Sequence, residues 1–300
     1  MRRLLMVGFV PCGLLVGGFW SLVRAGSFTG HSDWARVLPV APGATVVALL
    51  APTACAWLLA LLLQPFQVRA VRVLEGYWDR WPATARVAGV LVEIQRRRHL
   101  ALRDKATRPG AASADALRRL AARPPVEVLL PTELGNALRA GELSAGERYG
   151  LATLSAWPRI YLQVSDRLSQ SLRSTRDALD TAVNLCWSFL ALAAVLAAGL
   201  YDESRVRWLP LVALALAAVA CKGAVIAAQA YSGLMHVVFD LHRFDLLEAL
   251  HHRLPAEQEQ EQEVFERVSK RLVGLRVPDL PYEHGRGFSD PRDADGRAET

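Results

Sequence analysis

The sequence has no Gly-x-x-x-x-Gly-Lys-Ser/Thr loop, no Gly-x-Gly-x-x-Gly turn, no His-Glu-x-x-His helix and no Gly-x-Ser-x-Gly elbow. These absences remove the usual linear signatures of nucleotide binding, zinc-dependent hydrolysis and serine nucleophiles. A site assembled from distant residues remains open. Cysteine is scarce: Cys12, Cys55, Cys186 and Cys221 stand apart from any Cys-x-x-Cys or Cys/His spacing. Neither a disulfide framework nor a zinc site is indicated, and the four read as small apolar packing residues. There is no internal repeat. Residues 126–130 make the one candidate strand, and one strand makes no sheet.

Charge is the next thing missing. Four apolar stretches, roughly 4–23, 44–63, 182–200 and 208–228, hold no charged residue apart from Lys222. Each is close to the roughly 20 residues that 1.5 Å per residue needs to cross a ~30 Å hydrocarbon core. The expected fold is therefore all-α. Four spanning helices carry a cytoplasmic helical domain, formed by the insertion between spans two and three and the C-terminal helices. The expected organisation is a transmembrane hairpin in 1–66, the insertion in 67–181, a second hairpin in 182–228, a helical extension in 229–275 and a disordered tail in 276–300.

Orientation follows from Lys/Arg near the span ends. Arg2, Arg3, Arg69, Arg72, Arg80, Arg167, Arg173, Arg176 and Arg243 fall on one side, against Arg24, Arg36, Arg205 and Arg207 on the other. This places both termini and the insertion in the cytoplasm of a multi-pass protein of a bacterial inner (plasma) membrane. One alternative is that Met1-Arg2-Arg3, the apolar run and Val23-Arg24-Ala25 form a cleavable signal peptide. Cleavage would leave three spans with the insertion on the same side.

The polar segments differ in charge. Residues 67–181 hold 19 Lys/Arg against 12 Asp/Glu, and residues 229–300 hold 9 against 14. Opposite charge lets the two attract each other or favour separate partners, and also describes ordinary solvated faces. No nucleic-acid-binding motif accompanies the basic segment, so no nucleic acid is expected.

Between Gln67 and Trp81 an amphipathic helix is expected, with Tyr77, Trp78 and Trp81 beside a membrane exit. Such rings favour the headgroup level. Pro82 should end it. A helix over 84–105 carries Arg96, Arg97 and Arg98, a cluster that suits either anionic lipid or a solvated helix end. Short helices are expected near 114–122 and 133–141, the second capped by Thr132. Ser144 and Glu147 match a capping box for a helix over 145–156, interrupted by Trp157-Pro158. From Arg159 to Gly199 nothing breaks the pattern, so one rod of ~60 Å is expected there. Span four should likewise run on to Pro255, followed by a helix at about 256–274.

Few residues suggest chemistry. Lys222 is the one intramembrane charge, suited to a polar path or to snorkelling, with Asn184 as a candidate neighbour. On the extension of span four, His236 and Asp240 are four residues apart, His242 follows, and Glu248 precedes His251 by three. Glu-x-x-His is half of a carboxylate-bridged two-metal site, and no second copy exists. No cofactor or metal is indicated.

Five blocks stand out as a set: Leu74-Glu75-Gly76-Tyr77-Trp78; Leu130 to Ala140; Arg148-Tyr149-Gly150; Trp157-Pro158-Arg159; and Phe239-Asp240-Leu241-His242-Arg243. Over about 45–255 the chain resembles multi-span membrane proteins of high-GC bacteria such as actinobacteria, a group with no established activity. The resemblance implies a class without a mechanism, and directs attention to the cytoplasmic part. The expected function is a non-enzymatic scaffold or sensor with the lipid bilayer, anionic lipids, a cytoplasmic protein and a second copy of the chain as candidate partners. The alternatives are an oligomeric channel or transporter using Lys222, and a membrane-embedded metal-dependent enzyme.

Overall fold

Each of the four apolar stretches folds as helix. The computed structural model describes residues 3–37, 42–78, 82–278 and 280–283. Among them no strand forms, and the one β-type pairing is an isolated bridge between His252 and Tyr282. Among the described residues the first elements are a π-helix, Leu4–Phe9, and α1 (Val10–Ala25). Then come α2 (Pro42–Leu63), α3 (Gln67–Glu75), α4 (Pro82–Ala106), α5 (Ala111–Ala121), α6 (Glu133–Ser144) and α7 (Thr153–Ile160). The long helices α8 (Asp166–Gly199) and α9 (Leu209–Ala249) follow, and α10 (Gln258–Leu272) closes the series.

Four helical stretches are long and apolar enough to cross a membrane: Leu5–Ala25, Thr45–Glu75, Asp166–Gly199 and Leu209–Ala249. A helix suits that role because it satisfies its own backbone where water is absent. Large apolar side chains point outward from them; Val47, Leu50 and Leu62 are 64%, 62% and 67% exposed. Such a surface is stable in lipid and a liability in water. Pro52 lies inside α2 without ending it, and the adjacent Thr53 hydroxyl donates to the Leu49 carbonyl at 2.7 Å.

The described chain divides into two compact units. The first comprises residues 1–140 and 171–232. In it α1 packs on α2 through Cys12, Ala56 and Ala60, with Phe9 stacked on Trp57 at 4.9 Å. A second core joins α3, α6, α8 and α9 through Val71, Leu134, Ala137, Leu138, Leu179, Val183, Ala224, Val225 and Ala228. Small residues on α6 and α9 let these helices approach closely. The Ser232 hydroxyl then reaches the Ala137 carbonyl at 2.8 Å. Cys186 and Cys221, assigned to packing by the sequence, bring their sulfurs to 3.1 Å as free thiols.

The second unit comprises residues 141–170 and 233–300. Leu151, Ile160, Phe239, Leu246, Leu247, Phe265 and Val268 are buried in it. Trp157 lies 6.2 Å from Phe239, and Phe244 lies 6.1 Å from Phe265.

Several local expectations are corrected. The amphipathic helix stops at Glu75 because Gly76 takes a left-handed φ of +98° and its N–H caps the Arg72 and Val73 carbonyls. Tyr77 and Trp78 therefore lie beyond the helix, and Pro82 opens α4 instead of ending α3. Residues 126–130 form a 3-10 turn followed by extended Leu129. The buried Asn136 side chain takes both Leu130 backbone groups, at 2.7 and 2.9 Å, leaving them nothing to offer a strand.

The expected capping box does not form. Ser144 ends α6, and Glu147 instead accepts from the Thr153 N–H and hydroxyl at 3.2 and 2.6 Å, capping α7. Pro158 sits inside α7. The single rod expected from Arg159 is broken: Val164 is extended, Ser165 precedes the helix, and Asp166 enters its first turn. Ser before a helix and Asp in its first turn are start signals the longer apolar stripe had masked. Helix α9 stops at Ala249, before Pro255.

Candidate functional site

The five sequence blocks collapse into two clusters, one in each unit. In the first, the end of α3 meets the start of α6. Thr132 caps α6 by accepting from the Gly135 N–H at 3.0 Å, and its hydroxyl donates to the Glu75 carbonyl at 2.8 Å. A Cβ on Gly135 would lie 2.1 Å from the Glu75 carbonyl oxygen, and one on Gly76 would lie 2.8 Å from Pro131. Glycine at both positions is a consequence of that contact.

Glu133, in the first turn of α6, joins two cations. Lys222 Nζ reaches its Oε2 at 3.1 Å, and Arg98 reaches its Oε1 at 3.3 Å. Lys222 is thus matched by a carboxylate from residues 67–181, although its side chain stays 65% exposed. Asn184 is engaged elsewhere: its amide donates to the Val7 carbonyl, in the π-helix, at 2.7 Å.

The second cluster centres on Asp240. Its Oδ1 accepts from the Tyr149 hydroxyl at 2.6 Å and also from Arg148. The Arg243 guanidinium lies 4.3 Å from the centroids of both Tyr149 and Phe244, and its Nε bonds Glu261 at 2.7 Å. One turn earlier, His236 Nε2 and the Ser144 hydroxyl are 2.9 Å apart. Burial, then the hydrogen bond given to Asp240, push the Tyr149 phenol above its ordinary pKa. Arg148 and Arg243 act in the opposite direction. Each polar group in this network already has a partner, so its chemistry is that of a tie between chain segments about 90 residues apart.

The remaining candidate residues scatter. His242 pairs with Asp245 at 2.7 Å through Nδ1. Glu248 is the penultimate residue of α9, and His251 lies past its end with φ +56°, so the Glu-x-x-His spacing does not become one helical face. Among the described residues no group of three His, Cys, Asp or Glu side chains can hold a metal ion. Of the interface aromatics, Tyr77 is exposed, the Trp78 indole folds back to the Val73 carbonyl at 2.6 Å, and Trp81 lies outside the described residues. Most of the expected tail, residues 284–300, does so too. Arg96 and Arg97 both pair with Glu93, at 3.8 and 3.0 Å.

Sequence reasoning missed Glu133, Arg148, Tyr149 and Glu147 as network members. Glu133, Arg148 and Tyr149 were signalled only by lying in the five blocks, and Glu147 only as half of a capping box that does not form. It also missed Asp180, whose side chain is 3% exposed and faces Arg3 and Arg176. No protein-family model, curated protein or solved structure matches this chain.

Proposed function

We propose that this protein is a non-enzymatic scaffold or sensor of the bacterial plasma membrane, acting through polar helices on the cytoplasmic side. Both termini and residues 67–181 would lie in the cytoplasm, as the arginine asymmetry at the span ends favours. The resemblance to multi-span proteins of high-GC bacteria belongs to the same proposal. The observation that carries the reading is the unbroken course of α9 over 41 residues. Its apolar part ends near Ala228, and its continuation holds Asp240, to which Arg148 and Tyr149 are tied. Closed ion-pair networks favour a shape-presenting role over a reacting centre.

The channel alternative has to work with a Lys222 already paired to Glu133. The metal-enzyme alternative has to work without a shared helical face for Glu248 and His251. The test is affinity capture of the full-length chain from membranes in mild detergent, with Asp240→Ala as comparison. A partner retained by the wild type and lost by the variant supports the proposal. No partner in either sample contradicts it.

A further inference from the structure

The first unit contains a cavity of about 750 Å³ walled by the π-helix and α1, the end of α2 with α3, and α8. That size suits a small-molecule or lipid ligand, whose sites run to roughly 300–1,000 Å³. Along α8 the lining runs from Arg176 through Asp180 and Asn184 to Ser188. Twelve residues at 1.5 Å each give a depth of about 18 Å. Three guanidiniums, those of Arg3, Arg69 and Arg176, line it. The rest is largely apolar, with Val7, Pro11, Cys12, Ala60 and Leu63 among its walls.

The charges do not balance. Arg3 is held by Asp177 at 2.8 Å and by Asp180 at 3.3 Å. Arg176 faces the other Asp180 oxygen at 3.5 Å. Arg69 pairs with no carboxylate among the described residues; its guanidinium lies 5.9 Å from the Phe66 ring. Three guanidiniums against Asp180 and the neighbouring Asp177 leave one positive charge unmatched in the wall of a largely apolar cavity. By contrast, Arg96, Arg97 and Arg98, the cluster the sequence offered to anionic lipid, all have carboxylate partners.

Asp180 adds a second polar feature. The residue is 2% exposed, it lines the cavity, and its Oδ1 has no hydrogen-bond donor. Arg3 and Arg176 hold its two oxygens at 3.3 and 3.5 Å, so neither guanidinium is free for a ligand in the way Arg69 is. The π-helix beside it is a rare, wide turn that recurs at functional sites.

We infer that this cavity binds one anionic phospholipid. The phosphodiester sits against Arg69, and an acyl chain fills the apolar part. Guanidinium–phosphate contacts are among the stronger charge-assisted hydrogen bonds, which separates such a lipid from the surrounding bilayer. The inference rests on the cavity alone and goes beyond the scaffold reading.

The test is native mass spectrometry of the full-length chain, exchanged into micelles containing dioleoyl-phosphatidylglycerol, dioleoyl-phosphatidylcholine or glycerol 1-phosphate. The wild type is expected to retain one phosphatidylglycerol in preference to phosphatidylcholine. Arg69→Gln is expected to weaken that retention about tenfold, the loss of one charged hydrogen bond. Arg69 is exposed, so the substitution leaves folding intact. Equal retention of the two lipids, or unchanged preference in Arg69→Gln, overturns the inference. Glycerol 1-phosphate binding as tightly as the lipid overturns it in favour of a soluble phosphate ester.

Discussion

Asp240 and Asp180 each face two basic or hydroxyl-bearing side chains, yet they do opposite things. Asp240 is 40% exposed and is closed by Arg148 and Tyr149. Asp180 is 3% exposed, and one of its oxygens lacks a donor beside a cavity. Burial and satisfaction are thus separated in this molecule. A buried carboxylate pays a large desolvation penalty, which ion pairs offset only when its remaining lone pairs are also filled. Asp240 ties two chain segments, and Asp180 holds Arg3 and Arg176 at the cavity wall.

The largest expected effect sharpens the Asp240 side. Phe239 is fully buried and stacks on Trp157. Phe239→Ala should cost about 3–5 kcal/mol, measured by denaturant titration in detergent. Amide exchange over 144–153 should rise with it, since that segment loses its wall.

Next comes the comparison itself. Asp240→Asn should cost about 1–2 kcal/mol, after discounting for exposure, because Arg148 and Tyr149 lose a charged acceptor. Asp180→Asn should cost less. The amide avoids the desolvation penalty, and Arg3, 66% exposed, turns to water. If Asp180→Asn is the more damaging of the two, the comparison is wrong.

Lys222→Leu should change stability in detergent by less than about 1 kcal/mol, because Arg98 still holds the Glu133 carboxylate and an apolar side chain suits this helix. Ion flux in reconstituted vesicles should be absent before and after the change; flux that disappears with Lys222 would restore the channel reading.

The smallest effect concerns pH. Burial, then Arg123 and Arg103, hold the His99 imidazole below its ordinary pKa. The neutral form is therefore favoured in the folded state. Its contribution is present above about pH 6.5 and is lost as pH falls through the lowered value. Thermal unfolding compared at neutral and mildly acidic pH should show a smaller acid loss for His99→Gln than for the wild type.

The spans were legible because a ~20-residue run without charge has one physical explanation in a long chain. Thr132 was legible as a cap because a hydroxyl before a helical run has a local role. What failed were competitions between local signals. Ser144 and Glu147 satisfy the capping-box pattern, but His236 takes the serine and Thr153 the glutamate. The Val164 stripe suggested continuity, but Ser165 and Asp166 start a new helix. The candidate sites were least legible. Asp240 meets Arg148 and Tyr149 across about 90 residues of chain, and Asp180 meets Arg3 across 177. No periodicity carries such separations. The five blocks, read as a set, directed attention to the polar segments without saying which residues would meet.

The proposed scaffold has the polar helices before α8 and after α9 on one side of a membrane. Membrane-impermeant thiol labelling tests it, using full-length protein with its four native cysteines replaced and one of Ala112→Cys, Ser204→Cys or Glu257→Cys introduced. All three positions are exposed. The account predicts that Ala112→Cys and Glu257→Cys label only from the cytoplasmic face, and Ser204→Cys only from the outside. Labelling of Ser204→Cys from the same face as the other two would contradict it.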